Sequence, residues 1–237
     1  MKQDFVIYAI HGFLGTSNDW NILSGLPYKA VDISFTTPLG EWSNFSTLNL
    51  ETNKKKVLLG YSLGGRLALH ALIRQPSLWD AAIFISTHPG LLSDLERKQR
   101  LEADNQWADR FEQEPWESLI EAWNKQEVFS KGSYRFERKE SDYQRPLLAS
   151  MLREWSLGKQ ENLRDPLSRV DVPVLWMAGE NDLKYCALAE QVSLKHPLSR
   201  ISLVANASHR LPWEQPQNFL RIVEQFLTQE DLWSIQQ

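Results

Sequence analysis

Val57-Leu58-Leu59-Gly60-Tyr61-Ser62-Leu63-Gly64-Gly65-Arg66 decides the fold. A short apolar run leads into G-x-S-x-G, and a helix-forming stretch, Arg66-Leu67-Ala68-Leu69-His70-Ala71-Leu72, follows at once. Strand, sharp turn and helix are the context that makes this common motif informative. The serine at such a turn sits in a strained backbone conformation. Glycines two positions before and after it remove the Cβ atoms that would clash where helix and strand meet. The hydroxyl then stands above a sheet edge, in front of a helix N-terminus that favours developing negative charge.

Composition narrows the class. The chain has 237 residues and a net charge of −4, enough for one α/β domain with an insertion and without the basic footprint of a nucleic-acid or membrane-surface binder. The single cysteine, Cys186, rules out an internal disulfide framework, and a cytoplasmic home is expected. No stretch approaches the length of a membrane span. The five histidines form no ligand-spaced cluster, so neither a metal nor a cofactor is expected.

Working outward from Ser62, Phe5-Val6-Ile7-Tyr8-Ala9-Ile10 is an unbroken apolar run, as expected of a strand buried on both faces. It leads into the loop His11-Gly12-Phe13-Leu14-Gly15, and Thr16-Ser17-Asn18-Asp19 offers caps for a short helix. Tyr28 to Ile33 reads as a second strand, residues 34–53 as mostly loop, and Lys54-Lys55-Lys56 as a solvated charged turn. Gln75-Pro76 stops the helix after Ser62, and Ala81 to Ser86 is the next strand. From Leu91 to Gly158 the spacing becomes helical and no strand is evident. Val172 to Ala178 resumes the strands, Gly179 to Lys184 reads as a loop, 188–196 as a helix, Ile201 to Val204 as the last strand and 218–228 as the closing helix. Alternating strands and helices predict a mostly parallel sheet flanked by helices. The expected organisation is a core of residues 1–88 and 162–237 with a helical lid, 89–161, inserted before the next strand, over the carboxyl edge where open α/β sheets bind ligands.

A serine hydroxyl needs an imidazole to take its proton and a carboxylate to orient the imidazole. Asp182 and His209 each follow the carboxyl end of an expected strand, so parallel neighbours would bring both beside Ser62. Asp165 precedes the strand and Asp171 lies at its amino end, on the wrong edge. Among the histidines, His209 alone follows the last strand. The backbone N–H groups of Phe13, in the early loop, and Leu63, after the nucleophile, are the expected oxyanion donors, each worth about 10²–10³ in rate.

These motifs resemble the α/β-hydrolase fold across essentially the whole chain. More narrowly, the chain is similar to the 2-succinyl-6-hydroxy-2,4-cyclohexadiene-1-carboxylate synthase family of menaquinone and phylloquinone biosynthesis. That likeness rests on Gly60–Arg66, on His88-Pro89-Gly90-Leu91 with Arg97 and Arg100, on Gln106-Trp107-Ala108-Asp109-Arg110-Phe111, on Trp123 before Val128-Phe129, and on Gly179-Glu180-Asn181-Asp182-Leu183-Lys184-Tyr185. The resemblance implies a lyase that eliminates pyruvate from a cyclohexene polycarboxylate, the triad abstracting a proton without forming an acyl-enzyme. It implies Tyr61, Arg66, Arg97, Arg100, Trp123 and Arg138 as substrate-binding residues. Arginines suit such a small-molecule substrate, because planar guanidinium groups pair bidentately with carboxylates. The chain departs from the family after the second strand, where Asp32-Ile33-Ser34-Phe35 replaces a glycine-rich Asp-x-Pro-Gly-His-Gly turn. Two other readings compete. A carboxylesterase or thioesterase would use the same triad for acyl transfer but needs no arginine cluster. A non-catalytic binding protein needs no intact triad.

Overall fold

The computed structural model describes residues 5–33, 41–43, 50–51 and 53–229. Six strands form one parallel sheet: β1 (Phe5–Ile10), β2 (Tyr28–Val31), β3 (Lys55–Tyr61), β4 (Ala81–Ile85), β5 (Val174–Gly179) and β6 (Arg200–Val204), in the order β2-β1-β3-β4-β5-β6. Every residue of β1, β4 and β5 is buried, which is why these strands read as continuous apolar runs. Alternate residues feed two cores. Tyr8, Leu58, Phe84 and Trp176 face α1 (Leu63–Arg74). Ile7, Leu59, Ile83 and Met177 face α9 (Pro216–Leu227), which contributes Phe219, Val223, Phe226 and Leu227. Those four fall on one stripe of the helix.

The register aligns the strand ends. Ile10 stands opposite Gly60, Tyr61 opposite Ile85, Ile85 opposite Met177 and Gly179 opposite Val204. The loops after β1, β3, β4, β5 and β6 therefore emerge along one edge. Between β4 and β5 the chain is helical: α2 (Asp94–Gln113), α3 (Trp116–Asn124), α4 (Glu127–Ser130), α5 (Arg145–Glu154) and α6 (Arg164–Leu167). Ser93 caps α2 in a reciprocal capping box with Glu96.

Four expectations change. Lys55 and Lys56 belong to β3, because Asp80 meets them: its carboxylate accepts the Lys56 N–H at 2.8 Å and pairs with the Lys55 ammonium at 3.2 Å. The second strand stops at Val31. The helix placed at 188–196 is instead α7 (Leu183–Glu190), because Asp182 caps it, its Oδ1 accepting the Tyr185 N–H at 3.3 Å. The expected loop thus contains a helix start. The mostly-loop stretch 34–53 lies outside the described residues except at 41–43, 50–51 and 53. The closing pair, α8 (Leu211–Glu214) and α9, follows β6.

Candidate active site

Ser62 adopts φ 52° and ψ −113°, a backbone conformation costly for a residue with a Cβ. The sheet and helix hold it there. Its N–H donates to the Ile85 carbonyl at 2.9 Å, and its carbonyl accepts the Arg66 N–H at 3.0 Å. Gly64 is required because any Cβ there would strike the backbone carbonyls of Ile10 and His11. That contact presses α1 against the loop after β1.

His209 Nε2 lies 3.1 Å from Ser62 Oγ, and His209 Nδ1 lies 2.9 Å from Asp182 Oδ2. His209 and Asp182 are both buried. A carboxylate only accepts hydrogen bonds, so Asp182 keeps the proton on Nδ1 and leaves Nε2 to receive the serine proton. The His209 loop is tied down on two sides: Ser86 Oγ donates to the His209 carbonyl at 2.9 Å, and the Ser208 N–H donates to the Glu214 carboxylate. Tyr185, Tyr61 and Phe129 pack around the imidazole with ring centroids 4.6, 5.6 and 5.6 Å away.

Phe13 and Leu63 line the same cavity as Ser62 and His209. Leu63 opens α1, so its N–H has no carbonyl within the helix. The loop carrying Phe13 is held by His11, whose Nδ1–H donates to the Gly12 carbonyl at 2.8 Å and whose Nε2 lies 3.5 Å from Asp32.

The cavity has a volume of about 440 Å³ and collects positive charge. Arg66 is buried and donates to the Trp155 carbonyl at 2.9 Å and to Gln160 Oε1 at 3.4 Å. Burial, and then the charge of Arg100, push its pKa down to about 10. Arg100 Nε donates to both oxygens of buried Asp104, at 2.8 and 2.9 Å, and Ser156 Oγ donates to the same carboxylate at 2.7 Å. Lys184 stands at the mouth, its pKa lowered by partial burial and then by Arg100. Among the described residues it forms no ion pair. Trp107 and Trp123 supply an apolar wall, their rings 4.9 Å apart, with Trp123 also 4.9 Å from Phe13. Four cations, Arg66, Arg100, Lys131 and Lys184, line the cavity against three carboxylates, Asp104, Glu127 and Asp182, and Arg100 already engages Asp104.

Three expected binding residues, Tyr61, Arg97 and Arg138, do not line this cavity, although Tyr61 and Arg138 line a second pocket that also touches Ser62. Arg97 does not line the cavity; it donates to the Gln160 backbone carbonyl at 3.1 Å and pairs with Asp94. Arg138 is committed to Asp19 through two hydrogen bonds of 2.8 and 2.6 Å, with both side chains buried. Arg138 lines that second pocket, of about 60 Å³, together with Tyr61, Ser62, Trp123 and Arg210. Burial raises the Tyr61 phenol well above its ordinary pKa. Sequence reasoning missed Gln160, which is fully buried and links Arg66 to the His88 carbonyl. It also missed Lys184 as a cavity cation and Arg210, which ties the His209 loop to Asn124 and to the Tyr134 carbonyl. Only Lys184 left a signal, by following the acid at two residues' distance.

A parallel sheet with a serine elbow and the chain order Ser62, Asp182, His209 defines the class: the chain belongs to the alpha/beta hydrolase family, whose model matches residues 7–222. It is 32% identical to the 2-succinyl-6-hydroxy-2,4-cyclohexadiene-1-carboxylate synthase of Enterobacter sp. (strain 638), covering 87% of this chain and 85% of that protein. It is 30% identical to the synthase of the same name from Serratia proteamaculans (strain 568), covering 92% of this chain and 91% of that one. Within the hydrolase class the chain is therefore a member of the 2-succinyl-6-hydroxy-2,4-cyclohexadiene-1-carboxylate synthase family. MenH from S. aureus shares the fold, with a TM-score of 0.85 at 23% identity over 98% of this chain and 96% of that one. Among the described residues no helix is long and apolar enough to cross a membrane.

Proposed function

We propose that the chain is a carbon–oxygen lyase that eliminates pyruvate from 2-succinyl-5-enolpyruvyl-6-hydroxy-3-cyclohexene-1-carboxylate. The observation that carries this reading is a Ser–His–Asp triad opening onto a cavity with Arg66, Arg100 and Lys184, in a chain of that family. Neutral esters have no use for three cations, whereas a substrate with three carboxylates does.

The geometry supports the following chemistry. Ser62 Oγ, its proton drawn by His209, takes the proton from the ring carbon that bears the succinyl ketone. The electron pair moves onto the ketone oxygen, and the N–H groups of Phe13 and Leu63 hold the resulting enolate. Return of that pair through the ring double bond expels the enolpyruvyl oxygen, leaving the 2,4-diene and the enol of pyruvate. The proton that arrived on His209 is available to the departing group. Asp182 stabilises the imidazolium that forms in between. Arg66 and Arg100 hold carboxylates and set the ring over Ser62, with Lys184 closing the third side. Positioning of this kind supplies much of the rate in a reaction with a single internal proton transfer.

The test is pyruvate release from the cyclohexene precursor, with a short-chain p-nitrophenyl ester run in parallel, for wild type and Arg100→Ala. The reading expects pyruvate release in the wild type and a 10- to 1000-fold loss of kcat/KM without Arg100, in line with about 2–4 kcal/mol for truncating one partner of a charge pair. Ester turnover with no pyruvate above the uncatalysed rate would instead identify an acyl-transfer enzyme.

A further inference from the structure

We propose that His88 is a fixed, uncharged hydrogen-bond donor of the cavity, its Nε2–H offered to an acceptor oxygen of the substrate between Ser62 and the Arg66–Lys184 end. The proposal rests on the substrate reading above.

The placement comes from the sheet. His88 follows β4, which lies between the strand leading to Ser62 and the strand leading to Asp182, and it lines the cavity they share. The ring is anchored through one nitrogen. Nδ1 accepts the Gly90 N–H at 3.0 Å. A backbone N–H can only donate, so Nδ1 carries no proton, and a neutral ring must carry it on Nε2. Among the described residues Nε2 has no protein hydrogen-bond partner.

The turn that holds the ring is secured at each carbonyl. Gln160 Nε2 donates to the His88 carbonyl at 3.0 Å, the Leu163 N–H to the Pro89 carbonyl at 2.7 Å, and an Arg164 N–H to the Gly90 carbonyl at 2.8 Å. Gly90 takes φ +119°, and a Cβ there would strike the Glu161 carbonyl. The Tyr185 ring packs edge-on at 6.3 Å. A donor held this way loses little freedom when it binds.

Its surroundings keep it uncharged. Burial, followed by Lys184, Arg66, Arg100 and Arg164, lowers its pKa to about 2. A further positive charge beside these four cations is thereby avoided, and the ring contributes direction instead of charge. The arginines take carboxylates; a neutral donor suits a ketone or hydroxyl oxygen of the same substrate.

Two measurements test this. The first is the pair of ring-nitrogen chemical shifts of His88 in ¹⁵N-histidine-labelled protein between pH 5.5 and 8, assigned by loss of the signals in His88→Gln. Expected are an unprotonated Nδ1, a protonated Nε2 and no titration. A proton on Nδ1, or a midpoint inside that range, overturns the proposal whatever the substrate. The second is pyruvate-release kinetics of His88→Leu and His88→Gln, with thermal melts to confirm folding. The leucine variant should lose about 10- to 100-fold in kcat/KM, and glutamine, which restores an N–H, should recover part of that loss. A folded leucine variant with wild-type kcat/KM overturns the proposal. Pyruvate release absent from the wild type itself would remove the reaction and this assignment with it, and the nitrogen shifts would stand separately.

Discussion

Replacing Gln160 by leucine probes how the cationic end of the cavity is held. The side chain is fully buried and joins three parts of the chain: it donates to the His88 carbonyl at 3.0 Å, accepts from Arg66 at 3.4 Å, and its backbone carbonyl receives Arg97 at 3.1 Å. Leucine has a similar volume, so little cavity is created. The Arg97 contact is to backbone and survives. Arg66 keeps the Trp155 carbonyl at 2.9 Å. What is lost is one good hydrogen bond to a carbonyl that becomes buried and unpaired, plus one long contact to a guanidinium. An unsatisfied buried acceptor costs about 1–3 kcal/mol, so about 2 kcal/mol is expected. In a domain of this size that lowers Tm by roughly 4–8 °C. Arg66 loses one of the two acceptors that hold its guanidinium, Gln160 and the Trp155 carbonyl, so KM should rise several-fold while kcat changes less. Thermal unfolding by circular dichroism needs no substrate and reads the first effect; pyruvate release reads the second. A variant melting within about 1 °C of wild type would refute the idea that Gln160 braces this end of the site.

Ser62→Gly removes the hydroxyl proposed to abstract the proton and the Cβ that makes φ 52° costly; relief of about 1 kcal/mol should raise Tm by roughly 2–4 °C while abolishing activity, and a lower Tm would show that the elbow is unstrained. Arg138→Met leaves buried Asp19 without its partner and should destabilise the fold by about 3–5 kcal/mol, with Asp19→Asn in the same chain recovering much of the loss; a stable single variant with a raised KM would return Arg138 to the substrate. His88 has a folded pKa of about 2, below its unfolded value. Between the two values the unfolded chain binds the extra proton, so stability is lost as pH falls below about 6.5, by on the order of 2 kcal/mol at pH 5. Melts of wild type and His88→Gln from pH 7.5 to 5 should converge as the pH drops, and parallel curves would contradict this.

The meeting of Ser62, Asp182 and His209 could be read from the chain because topology does most of the work. In a parallel sheet, residues just past successive strands meet at one edge, so Ser62, Asp182 and His209 needed only strand order to be brought together. The second role of Asp182 was hidden by the first: read as the triad acid, it was not read as the cap of α7, and the helix start was misplaced. Arg138 and Gln160 show a different limit. Their partners lie far away in sequence, Asp19 at 119 residues from Arg138 and Arg66 at 94 from Gln160. No local periodicity encodes such a pairing, which depends on how the helical stretch settles on the sheet. Arg97 and Arg100 share a helix face by spacing, but only the packed structure separates the one that meets the cavity from the one that braces it.

Intact-protein mass spectrometry on samples quenched during turnover of the cyclohexene precursor tests the role of Ser62 most directly. Proton abstraction predicts pyruvate release with Ser62 unmodified at every time point, and release lost in Ser62→Ala. A transient mass increase that maps to Ser62 and decays as product forms would contradict it and establish acyl transfer.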